Sequence, residues 1–560
     1  MGADRTTSTA EATATCRRPA VADLVRQARF NISAEILDGA VTAGFGDRVA
    51  LRTDAATTTY AELADRVARA AAVLTGLGVT HGDRVLLRFD DEPEFAVWLF
   101  AAQRIGAVPV PVYAPARAAD LVYRANDAEV AVVVTAAGLT GEVDRARPRF
   151  TSVPHLVAVP AVADPSYLDA AALLAGAGPA PVVATSPDDP AILLYTSGST
   201  GEPKGCVHSH ADIAAGIDSW GAEGLDPRPN DVFAGPPPLP FALGYVYFLI
   251  VPLWAGASSV LGGDKSHDAM LRAIGRHGVT VFTAAASYFG GLAEQYRRDP
   301  EAYDVSSLRK VVCGGEPLQE WIAESFEDTF GLQLTQYLGT TELLHVVITY
   351  GADEKRRTGV IGRAMPGYEV SVRDPESLDA LPPGRPGLLA VRGVTGTEYW
   401  HRPDLQAAAI HDGWSLFKDL VEIDDDGYVT YVGRTDDMIV SSGFNIPPAY
   451  VEGILATHPS VREVACVGAP DPTGRRSTVV KAFVSLRDGS PPSPALATEL
   501  QEFFKANGQP HMYPRVVEFL PALPQTLTGK ISRSALAARS TPAPSTRQPG
   551  GTTGKAGHNA

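Results

Sequence analysis

Thr196-Ser197-Gly198-Ser199-Thr200-Gly201-Glu202-Pro203-Lys204-Gly205, directly after the apolar run Ala191 to Tyr195, decides the reading of this chain. Three glycines let the backbone approach a polyphosphate and present N–H groups to it, four hydroxyls add donors, and Lys204 supplies a mobile positive charge. The pattern is a phosphate cradle, with ATP the expected nucleotide. It differs from the common NTPase loop, in which Ser or Thr follows Gly-Lys; here the order is Lys204-Gly205-Cys206. Isolated Gly, Ser and Thr clusters are ordinarily surface turns. The complete ordered string sets this one apart.

At 560 residues the chain exceeds what one core can hold, about 250 to 300 residues, so several subdomains are expected. The formal net charge of −16, from 64 acidic against 48 basic side chains, lacks the basic footprint of a nucleic-acid binder. Cys16, Cys206, Cys313 and Cys466 are scattered and form no Cys-x-x-Cys, which argues against a disulfide framework or structural zinc and fits reduced thiols in the cytoplasm. Residues 1–19 contain no apolar core of the length a secretory signal needs and read as a disordered tail. The uncharged stretch Gly235 to Gly263 is broken by Pro236, Pro237, Pro238, Pro240 and Pro252, so a buried loop-helix-strand passage is expected there, not a membrane span.

From Ala20 to about Pro181, Ala/Leu-rich helical stretches alternate with short Val-rich strands, the mark of βαβ units. Val279-Thr280-Val281-Phe282-Thr283 and Leu308 to Cys313 are further buried strands ending in small residues. Ligands of open α/β sheets sit beyond such carboxyl ends. From Gly387 the pattern turns strand-rich and antiparallel, and Ala449 to His458 opens a compact α+β segment. The predicted fold is α/β: a large domain of βαβ subdomains plus a β-rich subdomain over residues 20–435, a small mobile α+β domain over 436–539, and a Pro, Gly, Ser and Thr-rich disordered tail over 540–560.

The spacing of the loop, together with motifs that follow in order across nearly all of Ala20 to Leu536, resembles the adenylate-forming ligases, the superfamily of acyl-CoA synthetases, luciferases and carrier-loading adenylation domains. The resemblance implies that Thr196, Ser197, Gly198, Ser199, Thr200, Gly201 and Lys204 hold phosphates, and that Thr341 and Glu342 of Gly339-Thr340-Thr341-Glu342 approach the α-phosphate and its Mg²⁺. A carboxylate and a hydroxyl beside phosphates suit Mg²⁺, which favours oxygen ligands. It further implies an adenine-binding turn at Gly314-Gly315-Glu316-Pro317, with Leu338 where many relatives place a stacking aromatic residue. Asp419 and Arg434 are the implied ribose contacts, and Asp436 the implied hinge. Phe417 and Lys418 depart from the usual Thr-Gly before that aspartate, placing bulk and positive charge beside the nucleotide; pairing with an acidic neighbour is the commoner fate of a lysine such as Lys418. Lys530, in Thr526-Leu527-Thr528-Gly529-Lys530, is the implied catalytic lysine. A carboxylate attacking the α-phosphorus needs a cation to relieve the repulsion of two anions.

The same resemblance places the acid pocket along Phe241 to Tyr245, Thr283 to Tyr288 with Ala285, Gly314 and Leu343-Leu344-His345. Small residues beside Phe241, Tyr245 and Tyr288 favour an aryl acid over a long acyl chain. His345 reads either as a hydrogen-bond partner of the acid or its ring substituent, or as a buried histidine satisfying a backbone group. Strand or cap positions are preferred to metal ligation for His208 and His210. Within the superfamily the chain looks most like bacterial aminobenzoate and benzoate CoA ligases, on Thr341 to His345, Asp436 to Ile446 and Tyr513-Pro514-Arg515. CoA is the implied acceptor, although His511-Met512 stands where a lysine commonly precedes Tyr-Pro-Arg. Two other acceptors stay open at this point: a carrier protein, or nitrite in the diazotisation of an aminoaryl acid. A nucleotide-binding regulator without catalysis is disfavoured because Lys530, Glu342 and Asp419 are all retained.

Overall fold

A computed structural model describes residues 27–196, 202–441, 444–473, 478–487, 490–526 and 530–540. The chain is mixed α/β and divides into two compact units, Met1–Tyr431 and Val432–Ala560. The expected tail over 1–19 and nearly all of that over 540–560 lie outside the described residues.

The alternation read between Ala20 and Pro181 builds a five-stranded parallel sheet ordered Val108–Tyr113, Arg84–Phe89, Val130–Ala136, His155–Val159, Leu168–Asp169. The helix Tyr60–Gly76 shows why these elements form. Thr59 and Glu62 close a capping box at its start, and Tyr60, Leu63, Val67, Ala71 and Leu74 recur at helical spacing on its buried face. Each fully buried leucine there contributes roughly 1.5–3 kcal/mol.

A second, fourteen-stranded sheet runs through the rest of the first unit. Its parallel half orders Leu334–Gly339, Lys310–Cys313, Val281–Ala284, Val232–Ala234, Ser258–Val260 and Val49–Arg52. The amino-terminal strand Val49–Arg52 thus joins a sheet built mainly from residues two hundred positions later, which no local pattern announces. The antiparallel half includes Tyr368–Arg373, Gly387–Gly393 and Trp414–Ile423. The uncharged passage folds as expected, as a loop over 235–241, short helical turns over 242–254 and the strand Ser258–Val260. Among the described residues no helix is long and apolar enough to cross a membrane.

The second unit carries the helices Pro448–Ala456, Pro494–Asn507 and Arg533–Ser540 on a three-stranded sheet of Val461–Pro470, Thr478–Leu486 and Val516–Phe519. Ala465, Val467, Phe483, Leu523 and Leu536 form its buried core.

Candidate active site

The predicted phosphate loop caps an antiparallel hairpin of Pro190–Thr196 and Lys204–Ser209, in which Thr196 pairs with Lys204. Ser197, Gly198, Ser199, Thr200 and Gly201 lie outside the described residues. Both legs are braced by the helix Ala118–Asp127: the Tyr195 hydroxyl donates to Asp127, and the Tyr123 hydroxyl donates to the Pro203 carbonyl at 2.7 Å. Gly205 permits close packing, because a Cβ there would stand 2.9 Å from Leu193 and 3.2 Å from Trp400.

At the hairpin's return, Lys204 Nζ lies 2.8 Å from Glu342 Oε1 and donates to the Tyr399 hydroxyl at 2.6 Å. That hydroxyl donates to Glu342 Oε1 at 3.2 Å. Burial opposes ionisation of Glu342, but Lys204 outweighs it and holds the carboxyl below its usual range. Tyr399 was not anticipated from sequence. It arrives because residues 398–400 pair with the hairpin's second strand: Val207 N donates to Glu398 O, and Trp400 N to Gly205 O, both at 2.9 Å. This pairing spans nearly two hundred residues and leaves no signal in the local pattern.

Thr341, Glu342 and Leu343 form one 3₁₀ turn capped by the Thr340 hydroxyl, which accepts from Leu343 N at 3.3 Å. The turn ends abruptly. Leu344 has φ +68° and ψ −42°, and His345 N donates to Leu343 O at 2.9 Å, which makes Leu344 the centre of a strained γ-turn. Two buried histidines brace it. His208 Nε2 donates to the Thr341 carbonyl at 2.7 Å. His345 Nδ1 faces the Val346 carbonyl at 2.9 Å and its Nε2 faces the Tyr368 hydroxyl at 2.8 Å. That hydroxyl lies 2.7 Å from Thr395 Oγ1, which donates to Leu343 O at 3.0 Å.

The expectation that His345 reaches the acid or its ring is therefore corrected. Both ring nitrogens are engaged by protein, and burial pushes its pKa down to about 4, so it is a neutral brace for the Thr341–Leu343 turn. His208 lies in the strand Lys204–Ser209, and His210 opens the following helix with Nδ1 accepting from Ile32 N at 3.2 Å.

At the expected adenine turn, Gly315 takes φ +85°. A Cβ on Gly314 would fall 2.0 Å from the Tyr337 ring, so only glycine fits over that tyrosine. Tyr337 itself is buried with its hydroxyl 3.3 Å from Thr283 Oγ1, while Leu338 packs half-buried at the edge of the Val347 and Ile361 cluster. Glu316 Oε1 accepts from Ser287 N at 2.5 Å, tying the turn to the helix Ala286–Arg298.

Asp419 lies in the strand Trp414–Ile423. Leu388 pairs with Leu420 and Ala390 with Leu416, so Phe417, Lys418 and Asp419 form a bulge opposite Leu389. The expected crowding of a nucleotide by Phe417 is corrected in consequence: its ring packs against the apolar cluster of Leu343, Val347 and Val421, and Lys418 is exposed.

Of the expected pocket residues, Phe241 is half-buried with its ring 5.4 Å from that of Tyr113. Ala285 precedes the helix Ala286–Arg298, and Tyr288 on its first turn donates to the Lys265 carbonyl at 2.8 Å. Tyr245 is corrected to a core residue. It is fully buried, and its hydroxyl accepts from Gln103 Nε2 at 2.9 Å.

In the second unit, Gln525 pairs with Ile531, Thr526 N donates to Lys530 O at 2.6 Å, and Lys530 N donates to Thr526 Oγ1 at 3.2 Å, while residues 527–529 lie outside the described residues. Arg434 and Asp436, the implied ribose contact and hinge, form a two-point ion pair at 2.9 and 3.1 Å.

An α/β fold whose hairpin loop returns a lysine onto the glutamate of a Thr-Glu turn defines a nucleotide-dependent ligase class. The chain matches the family described as AMP-binding enzyme over residues 40–400 and the AMP-binding enzyme C-terminal domain over 450–530. It is 31% identical over 513 residues to the benzoate–CoA ligase of Thauera aromatica, covering 91% of this chain and 96% of that one. Similar solved structures include the anthranilate CoA ligase AuaEII in complex with anthranoyl-AMP (TM-score 0.85, 26% identity, 93% of this chain and 98% of that one). A benzoate CoA ligase from Burkholderia xenovorans LB400 follows (TM-score 0.82, 31% identity, 90% and 99%). The chain belongs to the AMP-binding enzyme family and is an adenylate-forming acid–CoA ligase.

ATP, Mg²⁺ and CoA are the cofactors of this class. The residues present fit a magnesium triphosphate: an ionised Glu342 and the adjacent Thr341 offer oxygen ligands, and Lys204 stands beside them as the cation for phosphate.

Proposed function

We propose that this enzyme adenylates an aromatic carboxylic acid of the aminobenzoate or hydroxybenzoate kind and passes the acyl group to CoA. The observation that carries the reading is the Lys204–Glu342–Tyr399 cluster at the mouth of the loop hairpin. In the first half-reaction the carboxylate oxygen bonds to the α-phosphorus of ATP and pyrophosphate leaves. In the second, the CoA sulfur bonds to the acyl carbon and AMP leaves. Mg²⁺, when bound, supplies neutralisation of phosphate charge. Lys204, released from Glu342, is the phosphate cation; Glu342 holds its charge toward the metal; Thr341 stands by the α-phosphate; Lys530 offsets the charge of attacking acid and phosphate. The benzoate and anthranilate ligases among its relatives support a ring acid. Residues 436–539 are proposed as the small domain with Asp436 its hinge, Asp419 and Arg434 as ribose contacts, and Gly315 and Glu316 as the adenine turn. The buried thiols of Cys206, Cys313 and Cys466 support a cytoplasmic setting.

Acid-dependent exchange of pyrophosphate into ATP tests the reading. Benzoates and aminobenzoates are expected to drive exchange, Lys530→Ala to abolish most of it, and CoA to convert the adenylate to a thioester with AMP released. Release of ADP, or full exchange by Lys530→Ala, contradicts the mechanism. A stable product with a carrier protein or with nitrite and an aminobenzoate, but not with CoA, reassigns the acceptor.

A further inference from the structure

Asp91 and Lys265 each follow the carboxyl end of a parallel strand, Arg84–Phe89 in the five-stranded sheet and Ser258–Val260 in the larger one. Ligands of open α/β sheets sit at such ends. Their side chains are only 16% and 28% exposed, yet Lys265 Nζ and Asp91 Oδ2 stand 3.9 Å apart, too far for a hydrogen bond. Asp91 Oδ1 accepts from Leu239 N at 2.8 Å, and Lys265 Nζ reaches the Gly235 carbonyl at 3.4 Å. Among the described residues no hydrogen bond reaches Asp91 Oδ2, and the ammonium has no second acceptor. Asp91 Oδ2 is reached by solvent, so a polar ligand has access to the pair.

The pair borders the expected acid pocket. Leu239 and Gly235 belong to the segment leading to Phe241, whose ring packs on Tyr113. Tyr288 donates to the Lys265 carbonyl at 2.8 Å, and its ring centroid lies 4.5 Å from that of His267. Aromatic rings and one open acid–base couple thus share a single corner.

We propose that Asp91 and Lys265 together receive a hydroxyl group on the ring of the acid substrate, and so select hydroxyaryl acids over unsubstituted and amino-substituted ones; this rests on the aryl-acid reading above. An oxygen placed about 2.8 Å from each charged atom closes a triangle on the 3.9 Å base. A hydroxyl donates to Asp91 and accepts from Lys265 at once, whereas an arylamine satisfies Asp91 but offers its hydrogens to an ammonium that needs an acceptor. Burial pushes the Asp91 carboxyl up and the Lys265 ammonium down from their usual ranges, so a shared polar ligand relieves both.

The test compares kcat/KM in pyrophosphate exchange for benzoate, 3- and 4-hydroxybenzoate, and 3- and 4-aminobenzoate, with the natural enzyme and with Lys265→Met and Asp91→Asn. The natural enzyme is expected to prefer at least one hydroxybenzoate over benzoate and over the matching amine by about tenfold or more. Each variant is expected to cut that ratio to about threefold or less. Equal use of all five acids by the natural enzyme overturns the proposal without any variant, as does a ratio that both variants retain. If no ring acid supports exchange while other carboxylic acids do, the aryl-acid reading fails and the proposal with it.

Discussion

Lys204 and Glu342 are 21% and 15% exposed at their side chains, so each depends on the other for neutralisation. Removing the lysine leaves a largely buried carboxylate with, among the described residues, the Tyr399 hydroxyl and its own backbone N–H as donors. Breaking buried pairs costs about 3–5 kcal/mol, and residual exposure places Lys204→Met near the lower end, about 3 kcal/mol. Tyr399→Phe keeps the ring and loses one neutral donor, at about 1 kcal/mol. Urea unfolding of both variants measures the difference, and equal midpoints contradict the cluster. Lys204 and Glu342 were legible because each stands in an ordered motif. Tyr399 was not, since a distant strand pairing delivers it. His345 stayed open between the acid and a backbone group, because sequence shows the residue and not the Tyr368 and Val346 groups that face its two nitrogens.

The segment carrying Lys530 is fixed as an element. It runs into the helix Arg533–Ser540, and Arg533 is clamped by both carboxylate oxygens of Glu452, with the Cys466 carbonyl at 2.9 Å and Asp437 at 3.5 Å. Glu452 is 7% exposed and also accepts from Cys466 N at 2.6 Å. Arg533→Met strands that carboxylate, and a loss of about 4 kcal/mol is expected in the second unit. The molecule separates the signals: Trp98, Trp220, Trp254, Trp321, Trp400 and Trp414 all lie in the first unit. The variant is expected to leave the tryptophan-fluorescence midpoint in place while an earlier step enters the far-UV circular dichroism curve. A concerted shift of both signals argues against an independently destabilised second unit. Of this unit only its compact α+β character, opening at Ala449 to His458, was legible in the sequence. The bulge at Phe417 to Asp419 was not, because bulges arise from the register of a partner strand.

At the scale of the whole molecule, alternating helix and strand patterns gave the α/β class, but the union of Val49–Arg52 with the second sheet depends on long-range pairing that composition does not encode. The same packing buries histidines remote in sequence, and this sets the response to acid. His210 and His345 are both pushed down to about 4 by burial. In the unfolded chain each titrates near 6.5. Between those values the unfolded state binds more protons than the native one, so stability is fully present above about pH 6.5 and is lost as pH falls through 4. Each such shift corresponds to roughly 3 kcal/mol across the window. The tryptophan-detected urea midpoint is therefore expected to drop steadily from pH 7 to pH 4.5. His210→Asn retains a side-chain acceptor for the Ile32 N–H and removes the titrating group, so it should flatten this profile by about the share of one histidine. An unchanged slope in that variant places the acid sensitivity elsewhere, among carboxylates such as Glu342 that lose their stabilising charge only at lower pH.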